Sequence, residues 1–381
     1  MKTSSAGPIV LTRSLNLEDV ENLVVGATIL GTGGGGDPQT GLKILKEDLA
    51  QGRKLLLASE TDLEPESTVV CAYHCGSIPA PGQEETGERS RELPPGEDFM
   101  LKGLRAMEKR LGKKIRGVIP TEIGGGNTPA ALHLAALLGV PAIDADQVGR
   151  SAPELVQSSY LVNGVEATPS AVVDTLGDIT IVEHYASAAQ YEAIVRSLAV
   201  AGGGSAFVID SPVSASRAFA AGIKGTVSRA IELGAIVRKS RARGDDPAAA
   251  VTEFLGAFTL FHGDVSEFSL EEKAGFLVGE VCVDGRKQWS DRKLRVSVRN
   301  ENMVAWRDDK PVAMVPDLIC LLDESGQGVT NSKVREGLTV SVLGVRSPPI
   351  WRTEKGLNYF GPKRLGFPFD YVPVEELQGQ S

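Results

Sequence analysis

Cysteine, tryptophan and histidine are scarce in this chain: four, three and four among 381 residues. The cysteines, Cys71, Cys75, Cys282 and Cys320, are too few and too scattered for a disulfide framework, and a reducing cytoplasm fits them. Long apolar runs are missing too. None reaches the roughly 20 residues of a membrane helix. The opening "MKTSSAGPIVLTRS" lacks the apolar stretch of a secretory signal. Positive charge is in deficit, and a formal net charge of −9 disfavours a phosphate-backbone partner. The densest basic stretch, "RKSRARGDD" at 238–246, ends in two aspartates and reads as a solvated helix end. These absences predict a cytoplasmic protein that binds neither membrane nor nucleic acid.

What is present has two textures. "NLEDVENLVVGATIL" (16–30) predicts a helix capped by Asn16, and Asp37-Pro38 opens a second. Strands are expected over 54–58, 67–73, 116–121 and 141–145, with helices over 96–113 and 128–139. Alternation of this kind predicts an α/β layer structure with a mostly parallel sheet. A helix is expected from Pro212 to about residue 242. From about 256 the helical period is lost, and short strands with frequent turn signals predict an all-β barrel or sandwich. The expected organisation is an N-terminal α/β catalytic domain (1–168), an α/β continuation with a connecting helix (169–250) and an all-β C-terminal domain (251–381).

Two glycine runs stand out. "GTGGGG" (31–36) lies between two helices and lacks the lysine of a P-loop, so no nucleotide is expected there. Its bareness suits close approach to a ligand or another chain, which makes Gly34 and Gly35 candidate binding residues. In "VIPTEIGGGNTPAALHL" (118–134) a strand ends, Glu122 follows, and glycines lead into a helix with Asn127 at its start. Free amides at Gly125 and Gly126, with Asn127, could bind an anion or a carbonyl oxygen. Asp144 and Asp146 close another strand and could face one cleft. His74 and Cys75 are expected just past a strand, as zinc ligands, as a thiolate, or as a packed pair. Ligands bind beyond the carboxyl ends of strands in open α/β sheets, so these positions can converge on one crevice.

Together, "LGTGGGGDP", "PTEIGGGNTPAALHLAALLGVPAIDADQVGRSAPE", "NENMVAW", "VPDLICLLDESGQ" and "WRTEKGLNYFGPKRLGFPFDYVPV" resemble the S-methyl thiohydantoin desulfurase domain family over nearly the whole chain. That resemblance implies an N-terminal α/β sandwich and a C-terminal β-barrel-like domain. It also implies replacement of sulfur by water on a thiohydantoin ring, giving a hydantoin, as in ergothioneine breakdown. Many members carry a "GYMGAP"-like loop where this chain has His74-Cys75. For such chemistry Glu122 is the candidate general base. Zinc is expected on His74, Cys75 and Asp144, with Asp146 as a further catalytic carboxylate. Arg150 is a candidate partner for a substrate carboxylate, or a salt bridge to Glu154. Three rival readings stand beside this one: attack by Cys75 through a covalent thioimidate, an amidohydrolase acting on an oxygen-only ring, and a non-enzymatic accessory subunit of a hydantoinase-type partner. A homo-oligomer is expected.

Overall fold

Helix α1 (Leu17–Leu30) begins as its sequence dictates: the Asn16 side chain accepts from the Asp19 amide, and the Asp19 carboxylate accepts in turn from the Asn16 amide. The computed structural model describes residues 12–76, 79–82 and 98–379. The segment read for a leader, part of the loop after Cys75 and the first two residues of the helix expected from 96 fall wholly or partly outside them.

The N-terminal domain is an α/β structure around an eight-stranded mixed sheet. Its strands are β1 (Arg13–Ser14), β2 (Leu56–Ala58), β3 (Thr68–Gly76), β4 (Gly117–Pro120) and β5 (Ala142–Ile143). A short β6 (Ala145–Asp146) stands apart, followed by β7 (Ser170–Asp174), β8 (Ile179–Val182) and β9 (Ser205–Ser214). The order is β1-β2-β5-β4-β3-β9-β7-β8. The block β2-β5-β4-β3 is parallel. Beyond β3 the pairing turns antiparallel through β9, β7 and β8. Around it lie α2 (Pro38–Ala50), α3 (Phe99–Leu111), α4 (Asn127–Leu138), a one-turn α5 (Ser159–Val162) and α6 (Ala188–Ala201).

The helix expected from Pro212 to 242 is corrected by the structure. Pro212 lies within β9, and the chain then makes α7 (Ala215–Ala221), a bridge strand β10 (Ile223–Lys224) paired with β6, and α8 (Thr226–Arg243). Gly225, at φ +75°, supplies the left-handed residue that interrupts the helical run. Helix α8 lies very close to α1. A Cβ at Gly26 would sit 1.9 Å from the Ala230 carbonyl oxygen, and one at Gly234 would sit 1.9 Å from that of Asn22. Helix α9 (Pro247–Leu255) leads into the second domain.

The C-terminal domain is a curled, antiparallel seven-stranded half-barrel. Its strands are β11 (Phe258–Lys273), β12 (Phe276–Gly285), β13 (Lys293–Arg299), β14 (Glu301–Arg307), β15 (Lys310–Met314), β16 (Leu318–Asp323) and β17 (Thr339–Val345), ordered β15-β14-β13-β12-β11-β17-β16. One continuous core joins the domains: Leu318, Cys320 and Leu322 of β16 pack with Leu23 and Ile29 of α1 and Leu233 of α8. The C-terminal tail closes the seam, with buried Trp351 donating its indole N–H to the Val148 carbonyl at 2.7 Å. Among the described residues no helix is long and apolar enough to cross a membrane.

Candidate active site

Where β3 and β4 end, the two domains enclose a cavity of about 430 Å³. Its walls are the Gly33–Gly36 loop, Tyr73–Gly76 of β3, Thr121 and Glu122 after β4, the start of α4, the 152–155 segment, Arg196 of α6, and Asn300 and Glu301 at the head of β14.

The two glycine runs face each other, backbone on backbone. The Gly35 carbonyl accepts from the amides of Gly126 (2.9 Å) and Asn127 (3.0 Å). A Cβ at Gly35, which also has φ +80°, would lie 2.5 Å from the Gly124 Cα. The bareness at Gly35 and Gly124 therefore serves loop-to-loop packing. This corrects one expectation: the Gly126 and Asn127 amides are already used by Gly35, and Gly125 packs on Thr28 and Pro38 outside the cavity wall. Gly34 has a different neighbour, since a Cβ there would lie 1.9 Å from Oε1 of Glu301.

Glu122 is buried. One carboxyl oxygen accepts from Asn127 Nδ2 at 2.8 Å, the other from the Ala152 amide at 2.9 Å. Desolvation raises its pKa against these donors. Asn127 opens the first turn of α4 and does not cap it. Its Oδ1 accepts from the His74 amide at 2.9 Å, so it ties Glu122 to the edge of β3.

Glu301 was not singled out from the sequence. It is buried, its Oε2 has no hydrogen-bond partner among the described residues, and burial followed by the charge of Glu122 drives its pKa well up. Both flanking asparagines serve its placement. Asn300, at φ +57°, exchanges bonds with Leu277, while Asn302 donates its amide to the Thr32 carbonyl (2.8 Å) and its side chain to Ile319 O (2.9 Å). The available signal was "NENMVAW" itself: a charged residue heads a strand whose next four residues are all buried.

His74 and Cys75 both line the cavity, but they lie within β3, and adjacent strand residues point to opposite faces. The Cys75 side packs with Tyr73, Tyr191 and Val195, whereas His74 sets its ring edge-on to Phe207, centroids 5.0 Å apart. Burial pushes the Cys75 thiol up to about 12, with Arg196 only partly opposing it. His74 opens on the cavity within a dense wall. That surrounding, and then the charge of His133, hold its imidazole below the usual value. His133 is held toward its charged form: burial would lower its pKa, but hydrogen bonds to Asp48 and Asp98 raise it to about 9.

Asp144 accepts from the amide and hydroxyl of Ser228, at 2.9 and 2.6 Å, in the first turn of α8. Asp146 is buried behind the cavity wall, accepting from the amides of Val148 and Gly149. Burial pushes its pKa up to about 7. The expected shared cleft for the two aspartates is therefore not formed. Nor do His74, Cys75 and Asp144 assemble as ligands, and among the described residues no three His, Cys, Asp or Glu side chains are grouped to hold a metal ion. The donor set named for zinc does not fit it.

Arg150 is also corrected. It is fully buried, and its guanidinium donates to Ser151 O, Asp317 O, Pro316 O, Thr32 Oγ1 and Asn302 O. Every N–H is engaged, so it staples the glycine loop to the half-barrel and has none left for a substrate carboxylate. Glu154 pairs with Arg299 and Arg364, at 2.7 and 3.0 Å.

These features define a two-domain protein with an α/β layer, a half-barrel and a carboxyl-bearing cavity between them. Family models for the S-Me-THD-like N-terminal domain and the S-Me-THD-like C-terminal domain match residues 18–184 and 186–374, and the chain belongs to this S-methyl thiohydantoin desulfurase-like family. The crystal structure of a protein from Chromobacterium violaceum is similar in fold, with a TM-score of 0.76 and 22% identity, covering 95% of this chain and 100% of that one. Comparison with curated proteins gives no match.

Proposed function

We propose that the chain is a hydrolase that replaces sulfur by water at a ring carbon of a thiohydantoin or S-methyl thiohydantoin, giving a hydantoin. The supporting observation is Glu122: a buried carboxylate on the cavity wall, with raised proton affinity and two fixed donors, in a chain of this family. Raised proton affinity brings a carboxylate closer to the working pH of a general base. The Asn127 and Ala152 donors fix its plane, so a water on the cavity side meets a preset acceptor. Attack by that water on the ring carbon needs no nucleophile from the protein. Cys75 is the weaker alternative, since its thiol stays protonated where thiolate is required. The test is a screen of the purified chain against thiohydantoins and their S-methyl forms, reading sulfide or methanethiol together with hydantoin. Release from wild type and its loss in Glu122→Gln support the reading. Turnover of hydantoins alone, or of no ring, overturns it.

A further inference from the structure

We propose that Glu301, carried across the domain interface by the half-barrel, is the catalytic acid that protonates the departing sulfur, with Glu122 as its basic counterpart. This rests on the desulfurising reaction proposed above. Three observations locate a proton on Glu301. Both carboxyls line one cavity and act on each other electrostatically. Glu122 receives two N–H donors, which favour its ionised form, while Oε2 of Glu301 receives none from the described residues. Arg150 lies near both, yet its N–H groups are spent elsewhere, so it contributes charge without a bond. With Arg196 matched by Glu192, one guanidinium, one carboxylate and one neutral acid sum to zero among these buried groups, whereas two carboxylates would leave an uncompensated buried charge. Gly34 leaves the space that the Glu301 carboxyl fills.

The step balances as follows for an S-methyl ring. Glu122 takes a proton from water as the oxygen bonds to the ring carbon, and the C=N pair moves to nitrogen, which receives that proton. The C–S bond then breaks as the new C=O forms. Glu301 gives its proton to sulfur, methanethiol leaves, and the proton of the intermediate's hydroxyl returns to the carboxyl pair. No oxidant or reductant is needed.

A thiol that leaves poorly needs this proton, and a nitrothiophenolate does not. Glu301→Gln should therefore lower kcat about 100-fold or more on an S-methyl thiohydantoin, but only a few-fold on the S-(4-nitrophenyl) analogue. The loss of kcat at alkaline pH, set by Glu301 among Glu122, Arg150 and Arg196, should disappear with it. Gly34→Ala keeps the carboxyl but crowds it, and should show the same leaving-group dependence if Glu301→Gln does not fold. An infrared carboxylic-acid band at neutral pH, additional to that of Asp146 and Asp210, lost in Glu301→Gln and kept in Glu122→Gln, gives a readout that needs no turnover. Equal losses on both substrates, an undiminished Glu301→Gln, or no such band overturns the assignment while wild-type desulfurisation leaves the reaction standing. A wild type that desulfurises no ring overturns the reaction itself.

Discussion

The half-barrel and the α/β domain bury different chemistry. Inside the half-barrel lie Val281, Val283, Val296, Val340, Val342 and Ile319, a mainly aliphatic interior to which β13 contributes by strict alternation and β14 and β16 by runs buried on both faces. At and behind the cavity wall, the α/β domain buries Tyr73, Asp146, Tyr160, Tyr191 and Asp210, several with polar atoms that no group among the described residues satisfies. Tyr73 and Tyr191 both donate to Oδ2 of Asp210, at 2.9 and 3.1 Å. A core of the first kind contributes stability through burial alone. The second kind gives some of that up to hold ionisable groups at a site, and buried polar groups of this sort call for internal water. Glu301 links them, a buried acid on the rim of the aliphatic domain.

The sharpest test of this division sets one residue from each region side by side. Glu122→Gln should lower turnover by about 10²–10⁴-fold with little change in thermal midpoint. Val296→Ala, in the middle of the half-barrel, should do the reverse: a loss on the order of 2 kcal/mol in denaturant unfolding with kcat within a few-fold of wild type. If Val296→Ala abolished turnover without unfolding the chain, the half-barrel would be more than a scaffold.

Next in size is the loop interlock. Gly35→Ala places a methyl against backbone at a positive φ, so neither rotamer choice nor side-chain motion relieves it. A loss on the order of 2–4 kcal/mol is expected, with reduced activity. Gly139→Ala is the control. It shares a positive φ, at +76°, but meets nothing within 4 Å, and should cost about 1 kcal/mol. Similar losses at both sites would show that the glycine runs are conformational punctuation and not a fitted contact.

Titration should show the same asymmetry. Burial raises Asp210 to about 6 and Asp146 to about 7, above the carboxylate values of an unfolded chain. The folded state then binds more protons, so stability is greatest below the unfolded values and falls as pH rises through about 6 and 7. His133 acts in the same direction at higher pH, its contribution lost as pH rises through about 9. Asp210→Asn should flatten the fall in urea midpoint between about pH 4 and 6, the window between its unfolded and folded values. An unchanged slope would place the titration elsewhere.

Much of this division was legible in the sequence. Capping residues and hydrophobic period gave α1 and α2, the glycine run before an apolar stretch gave α4, and the loss of helical period marked the half-barrel. Glu122 and the cavity loops were legible because strand ends and glycine runs have local signatures. What was not legible depended on tertiary partners. Whether Asp144 faces a cleft or Ser228, whether Arg150 is free or fully bonded, and whether β3 runs past Cys75 are decided by elements far along the chain. Glu301 was hidden for the same reason. Its sequence reads as a strand, and only the docking of that strand on Gly34 and Thr32 makes it part of a site.

The smallest expected effect concerns Cys75, and it separates position from chemistry. The residue lines the cavity, and sequence reasoning favoured it as a zinc ligand or nucleophile. Its thiol is nevertheless buried on the Tyr191 side of β3, with a pKa pushed to about 12. At pH 7–8 almost no thiolate exists there, so neither role is supported by its surroundings. Cys75→Ser should keep turnover within about threefold, losing only modest stability from a hydroxyl in an apolar contact. Alkylation of Cys75 in the folded protein should be much slower than in urea, and substrate should leave that rate nearly unchanged. Loss of bound metal together with turnover in Cys75→Ser would break this account, because a metal would then hold the thiolate that burial otherwise forbids.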